Sequence, residues 1–272
     1  PSVVAFMVDF LEKHLRRAVI PVKPTAGFAG NRVAFLLFSR ITELAAQHGV
    51  EMMDYLIGPY TGRVMPPLAT LDLIGLDIHA AIIHSLQQNV SDAMHDKIIL
   101  PDYVERMIQA GHLGRKARDK GGFYKRLESG KNVYVEPSTL NYINAFEPHV
   151  QFVEQAKDLI HIGKYRQAFD VILTAEGAEA DIVREILATY IAYSYMLIGQ
   201  VADEEYGIGG IDRVMTTGYN WAGPSMLVKM LGGKERTIEL LQSQNLPVPD
   251  ALRTDAVCEQ TVFNVGKYFP AK

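Results

Sequence analysis

Apolar and polar positions in this chain alternate mostly with the period of a helix. Val3, Val4, Phe6, Met7, Phe10 and Leu11 recur at helical spacing, with Asp9, Glu12 and Lys13 opposite. That pattern predicts a first helix ending near His14 to Arg17. Ala18 to Lys23 is short and β-branched and predicts a strand, which Pro21 confines to an edge or to incomplete pairing. A long helix is predicted from about Asn31 to Gln47. Val33, Leu36, Leu37, Ile41, Leu44 and Ala45 form its apolar stripe, and Gly49 is placed to cap its end. Met52 to Ile57 predicts a short helix, and 58–67 is turn-rich. Helical patterning resumes over Leu68 to Leu76 and Asp77 to Asn89, and Pro101 opens a further helix through Gln109 that Gly111 closes.

The pattern changes between Leu113 and Pro137. Gly121 to Arg126 and Asn132 to Val135 are short aromatic and β-branched runs separated by Glu128-Ser129-Gly130-Lys131. They predict a small surface β-hairpin with Gly130 at positive φ. Ala145 to Leu173 is again helical, broken at Gly163. Asp181 to Val201 is apolar on almost every side, the mark of a helix buried among others. A weak repeat runs through the chain. Asp54, Thr61-Gly62, Pro67 and Gly75 are echoed by Asp212, Thr217-Gly218, Pro224 and Gly232, with the same Pro-to-Gly spacing. Two short blocks are too few for a solenoid and fit two packed copies of one helical domain.

Composition narrows the classes. A chain of 272 residues with 48% hydrophobic residues has ample material for a core, in one large or two medium domains. The net charge of -4 and pI near 6.1 give no electrostatic reason to expect nucleic acid or an anionic membrane as partner. A single cysteine, Cys258, excludes an intrachain disulfide and makes a reducing, cytosolic setting the default. It has no evident activating base and reads as an ordinary thiol. No apolar run is long enough to span a bilayer, and no signal peptide is visible. The chain begins at Pro1 and enters an apolar-periodic segment directly. Methionine removal explains that start, and so does a chain that begins inside a longer protein.

Several motifs fail on chemistry. Gly207-Ile208-Gly209-Gly210 has the start of a dinucleotide-loop spacing, but Asp212 replaces the third glycine and no strand precedes it, so a helix-breaking turn is expected. Gly232-Gly233-Lys234 lacks the first glycine and the Ser or Thr of a phosphate loop. His79 and His84 are five apart, off a common helical face and without a Cys partner, so they are poor metal ligands. Asp92 and His95 read as helix-surface residues. What remains is Gly27-Phe28-Ala29-Gly30-Asn31-Arg32. Its glycines permit a sharp turn from strand to helix. Asn31 is read either as the helix cap or as a donor to a substrate oxygen. Arg32 is read either as a contact for an anionic ligand or as a salt bridge to a neighbouring helix.

These residues carry a family resemblance. Val22-Lys23-Pro24-Thr25-Ala26-Gly27-Phe28-Ala29-Gly30-Asn31-Arg32 resembles the junction of 3-hydroxyacyl-CoA dehydrogenases, where the last strand of the NAD-binding domain enters the helical C-terminal domain. Leu113-Gly114-Arg115-Lys116 with Gly121-Gly122-Phe123-Tyr124, and Met65-Pro66-Pro67 with Asp72, Gly75 and Asp77, resemble two further segments of that domain. Asp212 to Gly232 is similar to a second copy. The resemblance implies an all-α fold with a small β-hairpin, built from two related helical domains of the 6-phosphogluconate dehydrogenase C-terminal type. It divides the chain into a Rossmann remnant of helix and strand at 1–24, a first helical domain at 25–137 and a second at 138–272.

For function, the resemblance implies NAD-dependent oxidation of an (S)-3-hydroxyacyl-CoA to the 3-ketoacyl-CoA, a step of fatty-acid β-oxidation. Asn31 stands at the family's active-site asparagine, and Met65 and Pro66 are assigned to the acyl pocket. The family's glycine-rich NAD loop and its catalytic His and Glu belong upstream of this strand, so NAD is a cofactor of the full-length enzyme only and no metal is implied. The expected partners are acyl-CoA, the N-terminal Rossmann domain and a second copy in a homodimer, and the segment alone is expected to be inactive. Pro24 replaces the usual Asp, Pro66 replaces a Gly and so removes a backbone N–H, and Lys229 stands where the first copy has Asp72. Pro24, Pro66 and the missing NAD-binding domain support the rival reading, a non-catalytic helical dimerisation or scaffold module.

Overall fold

The computed structural model describes residues 2–254 and 268–269, so Cys258 lies outside the described residues. The protein is mostly helical, with one small antiparallel sheet. The first helix, α1 (Ser2–Asp9), runs into a π-helical turn at Phe10–His14. Its predicted apolar face is largely left exposed: Val3 is 72% exposed and Phe6 65%. The strand expected after it does not form. Residues 18–21 carry no regular structure, and Val22 makes a single antiparallel bridge to Ala202 while Lys23 N–H donates to Val201 O at 2.8 Å. A strand needs a ladder of backbone partners, and only this short contact is offered.

The helices that follow are α2 (Phe28–His48), α3 (Val50–Leu56), α4 (Pro67–Ile74), α5 (Leu76–Asn89) and α6 (Asp102–Gln109). Gly49 closes α2 at φ 84° with its N–H on Ala45 O, and Gly111, at φ 85°, closes α6. Most of α2 is buried, so it forms the axis of the first half.

The expected hairpin is present as β1 (Tyr124–Arg126) and β2 (Asn132–Val135), with Tyr124 opposite Tyr134 and Gly130 at φ 83°. A third strand, β3 (Tyr142–Asn144), pairs on the other side of β2 and was not expected. It is only three residues long and largely exposed, so it has almost no alternating pattern to read.

The second half comprises α7 (Gln151–His161), α8 (Tyr165–Thr174), α9 (Ala178–Met196), α10 (Gly207–Val214), α11 (Pro224–Leu231), α12 (Lys234–Ser243) and α13 (Asp250–Thr254). Gly163, at φ 75°, separates α7 from α8. The all-round apolar helix is α9, which stops at Met196 rather than at Val201. Gly207 begins α10, so that glycine run opens a helix instead of breaking one. One continuous hydrophobic core extends from Ala29 to Phe269.

The two halves meet where 61–63 crosses 220–222. Ala222 N–H donates to Gly62 O at 2.7 Å, and Arg63 bridges to Trp221. Arg63 is 1% exposed, with its guanidinium 4.8 Å from the Trp221 ring and 5.8 Å from the Tyr190 ring. Among the described residues its only side-chain hydrogen bond is to Thr61 Oγ1, at 2.8 Å. Burial pulls it down to about 10, which still leaves it charged at neutral pH. His79 sits in the same core, stacked 5.6 Å from Phe35; burial pulls its imidazole down to about 3, so it is neutral.

Candidate functional site

Asn31 does not cap α2. Gly27, at φ 74°, takes the cap position, and Asn31 lies inside the first turns of the helix. Its Oδ1 accepts the hydroxyl of Tyr219 at 2.6 Å, from a residue far along the chain in the second half. Gly30 makes that contact possible, because a Cβ there meets Val214 at 2.8 Å and the Tyr219 ring at 3.3 Å. With Oδ1 held, the side chain is left its amide N–H pair to offer, and Asn31 is only partly buried. Arg32 is paired, as one of its two readings had it. Its guanidinium bonds Asp92 and reaches Tyr193 Oη at 3.2 Å. Asp92 is not a helix-surface residue. It sits in the turn after α5 with its side chain 7% exposed, and it also accepts Tyr193 Oη at 2.7 Å and Met94 N–H at 2.9 Å.

A second locus lies under the hairpin, in a cavity of about 720 Å³. Its floor holds two carboxylates. Asp54, from α3, accepts the N–H groups of Leu68 at 2.7 Å and Ala69 at 2.9 Å, capping α4 from outside, and takes the Tyr124 hydroxyl at 2.6 Å. Asp72, on α4, accepts Phe123 N–H and Tyr124 N–H, both at 2.8 Å. Gly122 passes so close that a Cβ there stands 2.1 Å from Asp72 Oδ1. Burial pushes the Asp54 carboxyl up to about 7 against the pull of these donors, and pushes Asp72 up to about 6. Pro66 lines this cavity; Met65 is half-buried beside it and does not. No residue of α2 lines it, so Asn31 and Pro66 are not brought together here.

The repeat has a geometric counterpart. Asp212 Oδ1 accepts Ser225 N–H at 3.0 Å at the start of α11, and Ser225 Oγ donates to Asp212 Oδ2. Asp54 and Asp212 thus each cap the helix that a following proline opens. Gly75 and Gly232 close those helices at φ 105° and 103°.

Comparison with known proteins agrees with this arrangement. Residues 27–126 match the family described as 3-hydroxyacyl-CoA dehydrogenase, C-terminal domain. This segment is a 3-hydroxyacyl-CoA dehydrogenase C-terminal domain. It contains Asn31, Asp54, Asp72 and β1, the first strand of the hairpin. A probable 3-hydroxyacyl-CoA dehydrogenase of Bacillus subtilis (strain 168) is 27% identical over 250 residues, 89% of this chain and 30% of that relative. A probable 3-hydroxybutyryl-CoA dehydrogenase of Deinococcus radiodurans is 34% identical over 102 residues, 36% of this chain and 34% of the relative. The crystal structure of 3-hydroxybutyryl-CoA dehydrogenase from Escherichia coli superposes with a TM-score of 0.55 at 16% identity, over 89% of this chain and 60% of that one, which shows the fold. The chain thus spans less than half the length of the curated relatives it matches.

The described residues of this chain do not fit NAD. Their one sheet is antiparallel with strands of three or four residues, and it has no strand leading through glycines into a helix that cradles a pyrophosphate. Among the described residues no three His, Cys, Asp or Glu side chains converge as metal ligands. None of the described helices alone is long and apolar enough to cross a membrane. Tyr219 was not foreseen as part of the Asn31 site. Only its place beside the second glycine of the repeat marks it in the sequence, and nothing local says that its hydroxyl crosses to α2.

Proposed function

We propose that this chain is the helical, substrate-facing and dimer-forming part of an NAD-dependent 3-hydroxyacyl-CoA dehydrogenase of fatty-acid β-oxidation, working in the cytoplasm with an NAD-binding domain. The observation that carries the reading is Asn31: a partly exposed amide inside α2, its oxygen held by Tyr219, its N–H groups left to meet a substrate oxygen. A hydrogen bond there stabilises charge as it develops on the C3 oxygen of the bound (S)-3-hydroxyacyl-CoA. Met65 and Pro66 are proposed acyl-CoA contacts, Pro66 from the wall of the cavity under the hairpin. The uncovered apolar face of α1 is proposed to pack against the NAD-binding domain. The matching Asp54 and Asp212 caps support dividing the chain into two copies of one helical domain, at 25–137 and 138–272, after a remnant at 1–24.

The general base and the NAD loop belong to the upstream domain in this reading, so the 272-residue chain alone is proposed to be inactive. Asn31→Ala in the full-length enzyme is expected to lower kcat by about a hundredfold or more, with a stability loss of about 1–2 kcal/mol from the Tyr219 hydroxyl it releases, while the protein remains folded at the assay temperature. An unchanged kcat removes Asn31 from the chemistry. NADH formation by the purified chain, given NAD and a 3-hydroxyacyl-CoA, overturns the inactivity. Pro24 and Pro66, where the family has Asp and Gly, favour a second reading as a non-catalytic dimerisation module. Failure of the full-length protein to bind acyl-CoA decides for that second reading.

A further inference from the structure

A residue of the second half, Tyr219, reaches the group on which the proposed reaction depends. α10 does not end as an ordinary helix. It runs into a π-helical turn at Met215–Tyr219, whose extra residue changes the direction in which Tyr219 leaves the helix, and Asn220 ends that turn at φ 54°. Trp221 N–H closes back on Met215 O at 3.1 Å. The Trp221 ring is 2% exposed and lies 5.5 Å from Phe38 of α2 and 5.9 Å from Tyr190 of α9. The Tyr219 ring packs on it at 5.3 Å, and Gly30 leaves room for the same ring on the α2 side. Tyr219 is thus held by its ring, with its hydroxyl on Asn31 Oδ1.

The direction of that hydrogen bond matters for chemistry. An asparagine amide turned half a revolution about its last torsion exchanges oxygen for nitrogen in the same space. One orientation offers an N–H to a substrate oxygen. The other offers a carbonyl oxygen, which repels negative charge developing there. The Tyr219 hydroxyl keeps its proton, because burial pushes it well above its ordinary value near 10. Reversal of the Asn31 amide takes from that proton the acceptor it has, and among the described residues the hydroxyl makes no other hydrogen bond.

We propose that Tyr219 is a positioning residue for the dehydrogenase reaction: it sets which end of the Asn31 amide meets the substrate, so the second half of the chain completes a site whose reacting group lies in the first. This inference rests on the role given to Asn31 above.

Kinetics of the full-length enzyme with a 3-hydroxyacyl-CoA, joined to NMR of the 272-residue chain, test it. Tyr219→Phe keeps the ring and its packing and removes only the hydroxyl. It is expected to lower kcat about five- to tenfold with KM unchanged. In the Asn31→Ala background the same change is expected to alter kcat by less than about twofold, because no amide is left to orient. In the 272-residue chain the side-chain N–H pair of Asn31, identified by its loss in Asn31→Ala, is expected to shift in Tyr219→Phe. An unchanged kcat or an unshifted pair in Tyr219→Phe, a rise in KM alone, or an equal loss of kcat with and without Asn31 overturns the proposal while leaving the Asn31 reading in place. An unchanged kcat in Asn31→Ala overturns that reading and this proposal with it, so the Asn31→Ala rate tells the two failures apart.

Discussion

The two turn-and-helix blocks of this molecule share a frame and differ in what is attached to it. In the first, Asp54 caps α4, and Asp72, on the same helix, holds the backbone of Phe123 and Tyr124. In the second, Asp212 caps α11 through Ser225, and Lys229 occupies the position that corresponds to Asp72. An ammonium cannot accept an N–H, and among the described residues no sheet follows α11. The cap keeps the helix; the acceptor one turn later decides whether a hairpin is fastened to it.

The largest test of this comparison is Asp72→Ala. It leaves the N–H groups of Phe123 and Tyr124 without their acceptor and is expected to cost about 3 kcal/mol. Urea unfolding and faster protease cleavage within 113–137 check it; an unchanged midpoint means the hairpin is held by something else. Next comes the pH dependence, which belongs to the first block. Asp54 at about 7 and Asp72 at about 6 both lie above the unfolded value near 4. The folded protein therefore retains protons that the unfolded chain releases. Stability from these groups is fully present below about pH 4 and is lost as pH rises through 6 and 7, at up to about 1.4 kcal/mol per pH unit for each proton. Urea midpoints that rise between about pH 5 and about pH 7.5 contradict this.

Ser225→Ala in the second block removes only the hydroxyl bond to Asp212 and keeps the Ser225 N–H. A loss of about 1–2 kcal/mol is expected in thermal melts. The smallest effect is at Lys229, which is exposed: Lys229→Ala should stay within about 0.5 kcal/mol of the unchanged chain. A loss as large as that of Asp72→Ala makes the two positions equivalent after all.

Much of the helical order was legible because capping and periodicity are local. Gly49, Gly111, Gly130 and Gly163 ended or turned elements where their spacing placed them. The strand at 18–23 was misread because β-branched residues report a preference for extended backbone, while a strand also requires neighbours that the local sequence does not contain. The Asn31 site was half legible. Its helix and the family resemblance pointed to it, but the capping alternative failed because Gly27 takes that position. Its hydroxyl partner, Tyr219, belongs to the opposite half of the molecule. Asp92 was misjudged for the same reason, since its two partners, Arg32 and Tyr193, converge only in the folded core.

Arg63 gives the assembly of the chain a timing problem. Its guanidinium is enclosed by Tyr190 and Trp221, both of which lie far downstream. At a synthesis rate of about 5–20 residues per second, Arg63 precedes Trp221 by roughly ten to thirty seconds. Throughout that interval the first half exists without the aromatic rings that enclose its buried cation, and it completes its interior only when the second half arrives.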